Sequence, residues 1–198
     1  ASVVGPPSAA QSPTHDCQAW THSGDFDSRF KVWACRDSDP ALASDHMAKI
    51  AALVEEMWGP MTQAPPEGMG EPKPDAYGPN VPVDFGGDAR IDFYALLPGE
   101  SIRREGKSWS IPGGAAAAAL DAPPYTTRDG QPVRTASAFV LVDRSRLGDE
   151  WAMRQDLVHE FFHVLSFAHN HAATHRGTLS HWFVEASAVW AETYYLRS

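Results

Sequence analysis

The 198-residue chain is 43% apolar and 11% aromatic, enough for a packed core and incompatible with disorder along its whole length. Its 16 Lys and Arg are outnumbered by 25 Asp and Glu, giving a net charge of -9 with neutral histidines, and no basic run breaks that balance. A nucleic-acid partner, which needs a basic face, is therefore not expected; nor is a membrane partner, because no stretch reaches the ~20 apolar residues of a spanning helix.

Residues 1–24 are rich in Pro, Ser, Ala and Gly and read as a loosely ordered N-terminal segment tied down at Cys17, with residues 25–198 forming a single domain. The opening ASVVGPPSAAQSP has no basic or apolar leader and reads as the start of a mature chain. Cys17 and Cys35 flank a short polar loop and form no C-x-x-C pair, so a disulfide and an oxidising, extracytoplasmic location are expected. The alternating run from Arg29 to Cys35 predicts a strand. After the turn at Asp37-Ser38-Asp39-Pro40, Ile50, Leu53, Val54 and Met57 recur at helical spacing, predicting an amphipathic helix over 41–58 ended by Gly59-Pro60.

Residues 61–89 are broken by Pro and Gly and should be irregular; Asp84, Asp88 and Asp92, near Gly86-Gly87, fit no EF-hand and read as a solvated turn. RIDFYALL at 90–97 is a strand stopped by Pro98-Gly99. Residues 98–135, with the alanine run 115–119, read as a long connection at a cleft rim. TASAFVLV at 135–142 is a third strand, possible as the edge that pairs with an extended peptide. Helices follow over 149–168 and 179–196, with a polar loop at 170–178 between them.

The first of these two helices contains His159-Glu160-Phe161-Phe162-His163. On a helix, residues four apart lie on one face, so both imidazoles can aim at one ion. Zn²⁺ accepts nitrogen ligands in a tetrahedral set, and Glu160, beside the first ligand, is placed to take a proton from water rather than bind the metal. The flanking Phe161, Phe162, Val164, Leu165 and Phe167 should bury the helix. Two residues compete as third ligand. His169, six residues after His163, suits a metzincin pattern, but that pattern has glycine where this chain has Ser166, and needs a methionine downstream that this chain lacks. Glu185, on the next helix among Phe183, Val184, Ala188 and Trp190, should be a buried carboxylate in need of a partner. Glu192, two turns on, is either a fallback ligand or the group that fixes a histidine tautomer.

The segments HEFFHVLSFAHN and WFVEASAVWAE resemble the gluzincin class of zinc metallopeptidases, and more narrowly a group of secreted bacterial metalloproteases. That resemblance implies an α+β, zincin-like domain: a small twisted mixed sheet, a backing helix, an active-site helix and a glutamate helix below the metal. It also implies Zn²⁺ held by His159, His163 and Glu185, Glu160 as general base, and a peptide or protein substrate. One position departs from thermolysin-like members, which carry Asp four residues after the ligand glutamate where this chain has Val189. A zinc-containing binding module with little activity is the alternative from another class.

Overall fold

In the computed structural model the described residues are 15–17, 20–22, 29–35, 40–63, 68–74, 90–104, 107–111, 115, 117–121, 135–174 and 178–196. The fold is α+β. Strands β1 (His15–Asp16), β2 (Trp20–His22) and β3 (Phe30–Cys35) precede helix α1 (Pro40–Thr62). Then come β4 (Ile91–Leu96), β5 (Glu100–Arg104), β6 (Lys107–Trp109), β7 (Ala117–Asp121) and β8 (Ala138–Asp143). A 3-10 turn at Arg144–Arg146 leads into α2 (Glu150–Thr174) and α3 (Thr178–Leu196).

The main sheet has the order β2-β3-β4-β8-β7. Its middle strands β3, β4 and β8 are parallel, and β2 and β7 lie antiparallel on the two outer positions. Every residue of β4 and β8 is buried, as expected for strands covered on both faces. The two-residue period sorts their side chains. Phe93, Ala95, Val140 and Val142 join Phe30 and Val32 against the helices. Tyr94, Leu96, Phe139 and Leu141 face the opposite way, with Ile102 of the small sheet β1-β5-β6 and Trp20, Trp33 and Trp109 around them. Cys17 and Cys35 are disulfide-bonded, and Cys17 N–H donates to the Ser101 carbonyl, so the start of the described chain is fastened to both sheets.

Helix α1 buries Ile50, Leu53, Val54 and Met57 as its spacing predicts, but it does not end at Gly59-Pro60. A proline in the last turn removes only one helical donor, and the final carbonyls find others. Thr62 Oγ1 donates to the Trp58 carbonyl at 2.8 Å. The Met61 carbonyl accepts from Met69 N–H and the Gln63 carbonyl from Gly70 N–H, both at 2.9 Å.

The stretch expected as a long connection instead supplies β5, β6 and β7. Alanine has little strand preference and shows no alternation, so pairing with β8 rather than local propensity makes β7 a strand. The strand expected at 135–142 is consequently interior, and the outer position on that side belongs to β7. The predicted interhelical loop is shorter than expected: α2 runs through Thr174 and α3 begins at Thr178. Asp92 is not in a solvated turn. It is 1% exposed within β4 and accepts from Trp33 Nε1 at 2.7 Å and the Tyr94 hydroxyl at 3.3 Å. Asp84 and Asp88 lie outside the described residues. Among the described residues no helix is long and apolar enough to cross a membrane.

Candidate metal centre

Helix α2 starts where Asp149 accepts the Ala152 N–H at 3.1 Å, a side-chain cap for the first turn. Its core face is anchored by Phe161, whose ring lies 4.8 Å from that of Trp58 on α1 and 6.5 Å from that of Phe93 on β4. Phe162, Val164 and Leu165 are buried beside it, as the sequence predicts, together with Leu157 and Val158, whereas Phe167 is only partly buried. This packing fixes the helix rotation, which turns His159 and His163 toward α3. There Ala188 and Ala191 are fully buried, and their small side chains let the two helix backbones come close.

Across that interface one carboxylate meets both imidazoles. His159 Nε2 is 3.2 Å from Glu185 Oε2, and His163 Nε2 is 3.6 Å from Glu185 Oε1. The histidine rings stand 4.8 Å apart, steeply tilted to each other at 76°. One donor atom from each of the three residues lies within 4.8 Å of the others. The donor set suits a divalent metal: two ligand atoms each ~2.0–2.1 Å from one tetrahedral ion are roughly 3.3 Å apart, close to the two nitrogen–oxygen spacings seen here. Burial also grades across the site. The His163 side chain is 9% exposed and that of Glu185 45%, which leaves room on the glutamate side for a further ligand. Glu185 is thus less buried than the sequence suggests, because Phe183 and Trp190 beside it point to solvent at 62% and 57% exposure.

The remaining nitrogen of His159 is also engaged. Its Nδ1 lies 2.7 Å from Glu192 Oε1, two turns along α3 from Glu185 and on the same face. This is the tautomer-fixing role open to Glu192 from sequence. Burial lowers the affinity of His159 for a proton, but Glu192, Glu160 and Glu185 together outweigh it and leave the pKa above its usual value. One turn earlier, burial raises the Asp156 pKa against the pull of Arg146, and the charge of Glu192 adds to the rise.

His169 does not join this group. At about 100° per residue, six residues of unbroken helix turn it well away from His163, and it is exposed beside Gly70. Gly70 has φ +80°, and a β-carbon there would stand 3.6 Å from the His169 ring. A metzincin-type third histidine requires the chain to leave the helix after His163, and α2 continues through Thr174. Among the other residues the sequence singles out, Tyr194 stacks on Trp190 on the far side of α3, with ring centres 5.0 Å apart.

No family model, curated protein or solved structure matches this chain. The site therefore rests on its own geometry: a His/His/Glu group that could hold a metal ion, on two packed helices.

Proposed function

We propose that this protein is a zinc-dependent hydrolase of peptide bonds, with His159, His163 and Glu185 as the metal ligands and Glu160 as general base. The observation that carries the reading is the meeting of two imidazole Nε2 atoms with both oxygens of one carboxylate, while Glu192 holds the back of His159. Two nitrogens and one oxygen with a position to spare is a donor set of catalytic rather than structural zinc sites. Bound there, zinc supplies Lewis acidity, lowering the pKa of a coordinated water and polarising a carbonyl.

The protein's own groups supply the rest. Glu160, next to His159 and only partly buried, takes a proton from the attacking water. As the water oxygen bonds to the carbonyl carbon and the carbon–nitrogen bond breaks, Glu160 hands that proton to the leaving amine. Strand β7 packs beside α2 and is the last described strand on its side of the sheet. An extended peptide adding to that edge would run past the metal helix, which favours a peptide over a compact substrate. The disulfide fits an oxidising compartment and hence an exported enzyme.

The deciding experiment pairs elemental analysis with Glu160→Gln. The wild type, purified without added metal, should carry close to one zinc per chain and cleave members of a broad peptide library. The variant should keep the zinc and lose cleavage by about 10²–10⁴-fold. Zinc-loaded wild type that cleaves no better than Glu160→Gln overturns the peptidase reading.

A further inference from the structure

Beyond the metal centre, the outer face of α3 is apolar and uncovered among the described residues. Trp182, Phe183, Val189, Trp190 and Tyr194 are 61, 62, 53, 57 and 49% exposed. Their spacing puts them on one broad side of the helix, with the exposed Ala186 and Thr193 between them. The rings already associate in pairs: Trp182 lies edge-on to Phe183 with centres 6.1 Å apart, and Trp190 stacks on Tyr194. Among the described residues no charged side chain interrupts the stripe, and Glu185 stands at its inner border. Thr193 turns its hydroxyl back to the Val189 carbonyl at 3.4 Å, so covering the stripe would strand no hydroxyl there.

We propose that this stripe is the contact between two copies of the chain, α3 packed antiparallel on α3 about a two-fold axis near Val189. The area is of the right order. Aromatic side chains bury about 150–250 Å² each, so half-exposed rings in this number, with Val189, offer roughly 500–600 Å² per copy. That approaches the ~800 Å² per partner of a standard interface and is at the upper limit of what a lone soluble monomer leaves open.

The stripe is also self-complementary. With the axis level with residue 188, Trp190 of one copy faces the small Ala186 of the other and Phe183 faces Thr193, while Trp182 meets Tyr194 ring to ring at the two ends of the contact. Net charge opposes association, but the local charge pattern permits it at this face. Two chains of net charge -9 repel, and this face lets them touch without opposing carboxylates. A lipid surface is a poorer occupant, because helices that lie on membranes carry Lys and Arg along the polar flank, whereas this stripe is bordered by Glu185 and, further in, Glu192.

The test is sedimentation velocity of the whole 198-residue chain at concentrations from about 1 to about 100 µM. The wild type should sediment as a species of twice 21.6 kDa. Trp190→Glu should raise the dimer dissociation constant at least about thirtyfold. Leu42→Glu, an equally exposed apolar site on α1, should leave it unchanged. Both variants should keep their helical circular dichroism and metal content, since neither side chain is in the core. Val189→Cys should form an intermolecular disulfide on mild oxidation. A wild type that stays monomeric throughout, a dimer that survives Trp190→Glu, or a monomer that instead co-sediments with phosphatidylcholine–phosphatidylserine vesicles overturns the proposal. None of these readouts depends on catalysis, so the proposal and the peptidase reading can fail separately.

Discussion

Glu192 holds Nδ1 of His159 at 2.7 Å and so leaves Nε2 of the same ring free to meet Glu185. A carboxylate behind a metal-binding imidazole fixes its orientation and makes it more basic. Glu192→Gln keeps the shape but removes the charge. It should weaken zinc binding by about 10–100-fold while, at a pH above the histidine range where the His159 ring is neutral, leaving the thermal stability of the metal-free protein nearly unchanged. Competition against a chromophoric chelator measures the first and a melting curve the second. Unaltered zinc affinity would mean that Glu192 is a bystander.

The same contact sets a pH dependence. The pKa of His159 in the metal-free fold is raised above the ordinary histidine value. The protonated ring therefore stabilises that fold below the ordinary value, and the contribution is lost as pH rises through the raised one. Zinc needs the neutral ring, so its affinity should climb with pH and level off only above the raised value. Chelator competition across the histidine range should give a midpoint above the ordinary histidine value, shifted downward in Glu192→Gln. A wild-type midpoint at or below the ordinary value contradicts the role assigned to the three glutamates around His159.

Replacement of the candidate third ligands separates the two zinc geometries. Glu185→Ala removes the carboxylate that both imidazoles face, and zinc content after dialysis should fall well below stoichiometric. His169→Ala, roughly a third of a turn around the helix from His163, should leave zinc content at wild-type level. The reverse outcome would make the third ligand a histidine.

The disulfide makes a separate prediction. Cys17 and Cys35 enclose a loop with a sequence separation of 18, and opening a loop of that size in the chain-entropy model costs roughly 3 kcal/mol. Titration of the denatured, unreduced protein should find no free thiol. Replacing both cysteines with serine should lower the denaturation midpoint without changing zinc stoichiometry, because neither residue is near the metal group.

How much of this was legible in the sequence depends on where the information lies. His159, Glu160 and His163 share a motif whose helical spacing is local, and the apolar flank of Phe161 and Leu165 announces which side is buried. Glu185 and Glu192 were legible as a seven-residue repeat on the next helix, because α2 and α3 are neighbours in sequence. The β7 strand was not legible: an alanine run carries no strand signal, and only the β8 partner makes it one. The outer face of α3 misled for a related reason. Trp182, Phe183 and Trp190 look like core residues, and nothing in the sequence tells an apolar helix face that meets its own domain from one that meets solvent. Pro60 misled because the segment Met69-Gly70, which satisfies the last carbonyls of α1, is chosen by tertiary contact.

The order of strands in the main sheet has a consequence for how the chain assembles. Phe30 pairs with Ile91, and Phe93 with Val140, so each parallel neighbour in the sheet lies across a long loop of chain. Closing such loops costs entropy before any contact repays it, and sheets of this kind form slowly. The helical hairpin that carries His159, His163, Glu185 and Glu192 is by contrast local in sequence and follows every described strand. On a ribosome, β8 emerges immediately before that hairpin, so the sheet against which α2 must pack can close only when the hairpin is about to appear. Until then Trp58 of α1 and Phe93 of β4 have Phe30 of β3 as a ring partner but lack Phe161 of α2, so the metal-binding hairpin completes the aromatic core rather than adding to a finished scaffold.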